Sequence, residues 1–303
     1  MHPWNQPILD SLVGRLERLP HALLLFGPRG IGKLALAERM AQFLLCEGKA
    51  RPCNACDACR WYAAGNHPDF RRLEPEALAK DPAPEPEEEA PARKARQPSI
   101  EIRIEQVRAL AAFLNVVSHR GGRRVALVHP AEHMNAPTAN ALLKGLEEPP
   151  AGAVFILVSH RPAQLLPTVR SRCVAIPVAI PPREAALKWL SGQGIKDPER
   201  RLAYAGGAPL RAMDQKDVSL APVSDREGLE PLAEALQKLA LDSALLAFGL
   251  PPKYQTTTAK VAPANAREWL AYARHMGQER LLTRHPLSPR LFSAAMLGAM
   301  PRG

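Results

Sequence analysis

A glycine-rich stretch at residues 27–33, Gly-Pro-Arg-Gly-Ile-Gly-Lys, restricts the choice of fold because it fits the phosphate-loop pattern G-x-x-x-x-G-K. It follows a short apolar run at residues 21–26 and precedes helical apolar spacing at residues 34–45, so a buried parallel strand and a helix flank it. The backbone N–H groups of such a loop can cradle phosphate. The sequence therefore predicts an α/β domain with a nucleotide site, or with a loop of the same shape that packs without a nucleotide. The candidate nucleotide-binding residues are Gly27, Gly30, Gly32 and Lys33.

The side of this loop that would hold a metal ion is incomplete. The eighth position of the pattern is Leu34, whereas a Ser or Thr hydroxyl is needed as a Mg²⁺ ligand. The apolar run at residues 124–128 is followed by His129-Pro130 instead of the acidic pair that holds the metal and polarises water, although Glu132 is close in sequence. We therefore expect no Mg²⁺ site and no intrinsic ATP hydrolysis.

Four of the five cysteines fall within fourteen residues, in a C-x6-C-x2-C-x2-C array. A cytosolic chain keeps its thiols reduced, so the array indicates a metal site before it indicates disulfides. Four thiolates complete the closed tetrahedral shell of a structural Zn²⁺ ion. An iron–sulfur cluster, a redox CxxC pair and chance clustering are the alternatives. The candidate ligands are Cys46, Cys53, Cys56 and Cys59. The fifth cysteine, Cys173, stands in an apolar stretch and is expected to be a buried small side chain.

Further short apolar runs predict the remaining strands. Runs at residues 124–128, 154–158 and 174–176 alternate with helical patterns at residues 104–118 and 137–148. This alternation is typical of a parallel sheet covered by helices on both faces. After residue 180 the patterns are helical only, at residues 183–190, 198–205, 227–246, 264–275 and 290–297. The predicted architecture is an α/β domain followed by an all-helical portion, divided near residues 216–226.

Residues 74–98 have a composition that differs from the rest of the chain. They hold six of the 31 prolines and seven acidic residues. Such a segment cannot bury enough apolar surface to offset the entropy of ordering it. We therefore expect a disordered or loosely held surface insertion.

Composition excludes several classes of protein. The longest clear apolar run, Ala153–Val158, is far shorter than the ~20 residues of a membrane span. The first thirty residues lack the basic start and apolar stretch of a secretion signal. We therefore expect a cytoplasmic protein that is neither membrane-embedded nor a secreted disulfide scaffold.

Charge leaves contact with nucleic acid open. The net charge is +10, and residues 251–303 hold eight basic and two acidic residues. This excess permits contact with DNA phosphates, and it suits a solvated helical face or a surface that meets acidic subunits at least as well. Aromatic residues make up only 5% of the chain, which argues against a stacking platform for single strands.

Several motifs, taken in their order along the chain, resemble the bacterial clamp-loader subunits of the AAA+ family. Residues 139–150, Ala-Asn-Ala-Leu-Leu-Lys-Gly-Leu-Glu-Glu-Pro-Pro, resemble the helix-and-turn signature of that family, and Ser171-Arg172-Cys173 resembles its S-R-C motif. The cysteine array resembles the zinc module that follows the family's first helix, and His67-Pro68-Asp69 comes next in the same order. The incomplete metal side is similar to the delta-prime type of subunit, not to the ATP-hydrolysing gamma/tau motor. The resemblance covers about residues 20–180.

The resemblance implies a domain organisation. An AAA+ P-loop domain would occupy residues 1–178 and contain the zinc module at residues 46–59 and the Pro/Glu-rich insertion. A small helical lid would follow at residues 179–216. A helical collar for oligomerisation would occupy residues 217–303.

The resemblance also implies roles for two arginines. Arg172, positioned by Ser171, would project as an arginine finger into the nucleotide site of a neighbouring subunit. An ion-paired surface arginine is the alternative for this residue. Arg211 falls where relatives place a lid arginine that senses the γ-phosphate, so it joins the candidate nucleotide site.

By the same resemblance the chain would be a non-catalytic stator within a DNA polymerase III holoenzyme. Its partners would be motor (gamma/tau) and clamp-opening (delta) subunits and, through the complex, a sliding clamp and primer-template DNA at the nucleoid. Zn²⁺ would be a structural cofactor, and binding of ATP or ADP stays open. Two alternatives remain, namely an ATP-hydrolysing motor subunit, and a zinc-containing DNA-binding module with a vestigial ATPase fold. Hydrolysis by the isolated chain would favour the first, and tight salt-sensitive DNA binding by the chain alone would favour the second.

Overall fold

A computed structural model describes residues 1–79, 98–116, 122–215, 219–256, 265–283, 285 and 287–301. The chain divides into two compact units, Met1–Ile180 and Pro181–Gly303. Within the described residues, no helix combines the length and the apolar character needed to cross a bilayer. The predicted surface insertion falls mostly on residues 80–97, which lie outside the described residues.

The N-terminal unit alternates strands and helices around one sheet. In chain order its elements are α1 (Gln6–Val13), β1 (Ala22–Phe26), α2 (Lys33–Leu45), α3 (Asp57–Ala63), β2 (Phe70–Leu73), α4 (Ile104–Asn115), β3 (Arg124–Val128), α5 (Ala136–Glu147), β4 (Ala153–Ser159), α6 (Pro167–Arg170) and β5 (Val174–Pro177). Among the described residues the strands form one parallel sheet in the order β2-β3-β4-β1-β5. The predicted α/β architecture with a parallel sheet is confirmed, as are the four predicted strands.

The core of this unit lies on the two faces of the sheet. Every residue of β3 and β4 is buried, because the sheet is covered on both faces, and all of these residues except Arg124 and Ser159 are apolar. Helices α4, α5 and α6 cover the face that carries Leu24, Phe155 and Leu157. Helix α2 packs against β1, β3 and β4. The loops that leave the carboxyl ends of these strands therefore meet at one edge of the sheet, the usual place for a ligand in an open α/β sheet.

The strand β2 and three helices of this unit, α1, α3 and α6, were not predicted from the sequence. The four residues of β2, Phe-Arg-Arg-Leu, pair only with β3 at the edge of the sheet, so they lack the apolar run of a buried strand. Helix α3 begins directly after Cys56, inside the cysteine array, and its seven residues complete too few turns to show a helical period.

In the C-terminal unit the described residues form helices and no strand, as predicted. The helices are α7 (Arg183–Gly192), α8 (Pro198–Tyr204), α9 (Pro209–Met213), α10 (Leu229–Ala247), α11 (Ala266–Leu282) and α12 (Pro289–Gly298). One apolar cluster joins α7, α8 and α9 around Leu190 and Leu202. A second joins α10, α11 and α12 around Leu236 and Met276. The predicted division near residue 216, and the lid and collar roles, stay predictions.

Candidate functional site

The predicted phosphate loop leaves β1 at Phe26 and enters α2 at Lys33. Gly27, Gly30 and Gly32 have φ angles of 150°, 83° and 84°, a region that favours glycine. A Cβ atom at Gly27 would lie 2.2 Å from the carbonyl oxygen of Val178, a backbone atom with little freedom to move. The loop therefore has the strand–loop–helix context of the motif, and its shape depends on glycine.

Lys33 turns back on its own loop. Its side chain is buried, and Nζ donates hydrogen bonds to the carbonyl oxygens of Gly27 at 2.7 Å and of Pro28 at 2.5 Å. Burial lowers the pKa of Lys33 to about 8, and the nearby carboxylate of Glu132 opposes this shift. The ammonium group that would reach phosphate oxygens is thus engaged by the backbone of the loop itself.

Two histidines stand at the carboxyl ends of the central strands, where the metal side of the site would be. His129 follows β3 and His160 follows β4, and their rings meet edge to face with centroids 5.3 Å apart. Burial, reinforced by the charge of Arg72, lowers the pKa of His129 to about 4. Burial, reinforced by the charge of Lys33, lowers the pKa of His160 to about 3. Both rings are neutral at pH 7, so neither replaces the negative charge of an acidic pair.

Glu132 supplies a single carboxylate beside these histidines. Its Oε1 atom accepts a hydrogen bond of 2.9 Å from the backbone N–H of His160. Its Oε2 atom is buried and has no hydrogen-bond partner among the described residues. Leu34, in the first turn of α2, carries no hydroxyl that would join a carboxylate around a metal ion. The sequence indicated Leu34, His129 and Glu132, but not the contacts that His160 makes with His129 and Glu132.

The N-terminal segment lies against the phosphate loop, which the sequence analysis did not predict. Trp4 Nε1 donates to the carbonyl oxygen of Ile31 at 2.9 Å, and Asn5 Nδ2 donates to the same oxygen at 3.1 Å. Asn5 also donates to the carbonyl oxygen of Gly32 at 3.2 Å. These partners are 26 or 27 positions apart in the chain, so no local pattern could have found them.

The four clustered cysteines converge between the end of α2 and the start of α3. Their Sγ atoms all lie within 4.8 Å of one another, and those of Cys46 and Cys53 are 3.5 Å apart. Sulfur atoms bound to one tetrahedral Zn²⁺ ion would be about 3.8 Å apart, given Zn–S bonds of about 2.3 Å. The donor set and its spacing therefore fit a metal ion such as zinc. A Cβ atom at Gly48 would lie 2.8 Å from Cys53 Sγ, so glycine keeps the turn close to the sulfurs.

Backbone N–H groups surround these sulfur atoms. The N–H groups of Gly48 and Cys53 each donate to Cys46 Sγ at 3.3 Å, and that of Cys56 donates to Cys53 Sγ at 3.3 Å. Such hydrogen bonds, with one from Ala55 as the largest cause, lower the pKa of Cys53 to about 6. Stabilisation of a thiolate is what a metal site needs, because the thiolate is the ligand.

Arg172 lies just beyond α6, and its guanidinium is bound within its own chain. Nη2 is 2.5 Å from Oε1 of Glu147, and Nη1 donates to the carbonyl oxygen of Thr168 at 2.9 Å. Ser171 Oγ donates to the same carbonyl oxygen at 3.1 Å. About a third of the Arg172 side chain is exposed. Cys173, predicted to be buried, packs half-buried against the core, and this burial raises its pKa to about 11.

Arg211 belongs to the C-terminal unit and is ion-paired there. Its Nη2 atom contacts Oε1 of Glu234 on α10, which also binds Lys238 at 2.6 Å. Arg280 of α11 reaches the other oxygen of Glu234 at 3.3 Å. Burial alone would raise the pKa of Glu234. The hydrogen bond from Lys238 and the charge of Arg211 outweigh burial and lower this pKa to about 2. Glu234 thus binds three cations, and Arg211 is one of them.

Comparison with known proteins identifies the relatives of this chain. A family model described as "DNA polymerase III, delta subunit" matches residues 8–181. A DNA polymerase III subunit delta' from Pseudomonas aeruginosa is 44% identical over 218 residues, which cover 70% of this chain and 60% of that protein. The subunit delta' of Yersinia pestis is 35% identical over 223 residues, with coverages of 70% and 60%. The chain therefore covers less than two thirds of the length of these relatives.

Among solved structures, a DNA polymerase III gamma subunit-related protein from Thermotoga maritima covers 96% of this chain, and the match spans 97% of that protein. Its sequence identity is 17% and its TM-score is 0.46.

Proposed function

The chain belongs to the delta' family of DNA polymerase III subunits, and from this premise we propose that it is a non-catalytic stator of a clamp loader. One observation carries the proposal. The Lys33 ammonium group binds the Gly27 and Pro28 carbonyl oxygens of its own loop, beside two neutral histidines where a motor subunit would hold a metal ion. A site in this state does not polarise a water molecule or neutralise a leaving phosphate. ATP or ADP would bind there only after Lys33 left those two carbonyl oxygens.

Arg172 is the residue that we assign to the chemistry of the assembly. An arginine offered to a neighbouring nucleotide site neutralises the charge that builds up on the transferring phosphoryl group. Arg172 suits this role because it is partly exposed beyond α6, next to Cys173, which is anchored in the core. Ser171 would position the loop through its hydrogen bond to Thr168. The chain would thus be required for hydrolysis that it does not perform.

The partners follow from this role. We propose that the chain joins a motor subunit of the gamma/tau type to a clamp-opening subunit of the delta type. Through the complex it would act on a sliding clamp and primer-template DNA at the nucleoid. The helical part near residues 179–216 would serve as the lid and residues 217–303 as the collar, with Arg211 bound to Glu234 instead of to a phosphate.

The cysteine array would contribute stability rather than chemistry. We propose that Cys46, Cys53, Cys56 and Cys59 hold one Zn²⁺ ion. Four thiolates leave no position on the ion for water or substrate, so the ion would be structural. It would link the end of α2 to the start of α3.

The proposal is tested by ATP turnover of the reconstituted loader in the presence of clamp and primed DNA. Replacing Arg172 by alanine should lower turnover by about tenfold or more, since a trans arginine contributes about 10³–10⁵ in rate to related phosphoryl transfer. Arg170→Ala is the matched control, because Arg170 is an exposed arginine two positions earlier. It should leave turnover unchanged.

The isolated chain is the second arm of the same experiment. It should show no ATP turnover with or without Mg²⁺. Turnover by the isolated chain would instead identify a motor subunit. An intact assembly that is indifferent to Arg172→Ala would remove the proposed mechanism.

A further inference from the structure

The end of α5 takes no part in the mechanism proposed so far, yet it is held rigidly. A Cβ atom at Gly145 would lie 3.1 Å from the Phe155 ring, so the helix approaches β4 closely. His21 Nε2 lies 3.0 Å from the carbonyl oxygen of Leu146, which ties the last turn to the start of β1. Glu147 is the last residue of this helix. The backbone that carries the Glu147 side chain is therefore held in place by β4 and by the residue that precedes β1.

The carboxylate of Glu147 binds the guanidinium assigned above as the finger. The 2.5 Å contact to Arg172 Nη2 and the bond from Nη1 to Thr168 engage both ends of the guanidinium fork. A guanidinium held in this way has two of its terminal donors occupied by its own chain. Arg172 cannot bind a phosphate through both terminal nitrogens until at least the carboxylate contact is broken.

The location of Glu147 is unfavourable without a cation. The carbonyl end of a helix carries partial negative charge, so acidic side chains in the last turn are repelled. Two of them, Glu147 and Glu148, follow each other here, and both are exposed. Arg172 compensates the first, whereas Glu148 has no ion pair among the described residues. The pairing is therefore specific to one of two adjacent carboxylates.

We propose that the Glu147 carboxylate is a parking site, a group that holds Arg172 within its own chain. It does so until the γ-phosphate of a nucleoside triphosphate in the neighbouring subunit takes the place of the carboxylate. This inference rests on the trans role of Arg172 in the proposed function. An exposed ion pair is weak, so the exchange meets little resistance. A terminal phosphate carries more negative charge than a carboxylate and accepts a guanidinium at two oxygens.

The exchange makes the position of the finger depend on the nucleotide. When the neighbouring subunit holds a nucleoside triphosphate, Arg172 leaves Glu147 and binds across the interface between the subunits. When the neighbouring subunit holds a nucleoside diphosphate, no γ-phosphate is present, and Arg172 returns to Glu147. The carboxylate thus competes with ATP for the finger but does not compete with ADP.

Glu147→Gln tests the parking site, because it removes the charge and keeps the shape of the side chain. In the reconstituted loader, the ATP concentration at half-maximal turnover should fall about two- to fivefold, the size expected for one exposed ion pair. The inhibition constant of ADP should be unchanged. Glu148→Gln is the matched control and should leave both quantities as in the wild type. The melting temperature of each isolated variant checks that the fold is intact.

A double variant separates this inference from the proposed function. In the Arg172→Ala background, Glu147→Gln should have no further effect, because the two residues act as one pair. If Arg172→Ala lowers turnover but Glu147→Gln does not lower the half-saturating ATP concentration, the parking site is overturned and the finger stands. If Arg172→Ala leaves turnover unchanged, the finger is overturned and the parking site falls with it.

Discussion

The two histidines that follow the central strands β3 and β4 make the stability of this protein sensitive to acid. The pKa of His129 is about 4 and that of His160 about 3, both lowered by burial, against 6.5 for an unperturbed histidine. Below pH 6.5 the unfolded chain therefore binds protons that the folded chain does not bind. The free energy of unfolding therefore has its full value above pH 6.5 and decreases as the pH falls from 6.5 towards 4.

Urea unfolding at pH 7.5 and at pH 5 measures this effect. Because both rings are partly exposed, we expect the wild type to lose about 1 kcal/mol per ring over this interval. A double variant, His129→Gln with His160→Gln, should lose correspondingly less. His285→Gln, at an exposed position in the C-terminal unit, should follow the wild type. Equal losses in the wild type and the double variant would contradict the assignment of the acid sensitivity to these rings.

Residue identities in the site follow from the sequence, but the partners of their polar atoms do not. The pattern of glycines gives the loop, and the spacing of the cysteines gives a convergent cluster, because both depend on neighbours in the chain. The bonds from Lys33 to its own loop depend on how deeply β1 and α2 bury the side chain. The contact between Arg172 and Glu147 depends on the packing of α6 against α5, 25 residues away. Such contacts exist only after the fold has formed.

At the scale of elements, a strand can be recognised from the sequence when both of its faces are buried. β3 and β4 are fully buried and apolar except for one terminal residue each, and they were predicted within one residue at each end. β2 was missed because its stability comes from distant partners of its arginines. Arg72 is ion-paired with Glu38 of α2, and Arg71 stacks on the ring of Phe113 in α4. A pattern confined to four residues contains none of these contacts.

The link between α2 and α3 gives a prediction at this scale. If the four cysteines hold a structural metal ion, Cys56→Ser should lower both the metal content and the melting temperature, because metal binding adds folding free energy. We expect a loss of at least about 2 kcal/mol, or roughly 5 °C. Metal analysis by mass spectrometry and a thermal melt measure the two effects. Cys173→Ser, which lies outside the cluster, should keep one metal ion per chain, and unchanged values for Cys56→Ser would contradict the site.

At the scale of the whole molecule, the charge of +10 has more than one use. Within residues 251–303, Arg280 is engaged by Glu234 at 3.3 Å and by Gln237 at 3.1 Å. Lys253 lies near the ring of Tyr254, 5.2 Å from its centroid. These contacts serve helix packing and local structure. The sign of the charge alone therefore does not predict a DNA-binding face, and the location of each cation has to be known.

DNA binding by the isolated chain separates the stator from a zinc-containing DNA-binding module. A stator that meets DNA through its complex should bind a primer-template weakly by itself, with a dissociation constant no tighter than about 1 μM at 0.15 M salt, the range of non-specific contact. Fluorescence anisotropy at two salt concentrations measures this binding. Cys56→Ser should leave it unchanged, because the cysteine array would brace the fold and would not contact phosphates. Tight binding that disappears with Cys56→Ser would instead assign the basic charge and the metal site to DNA recognition by this chain alone.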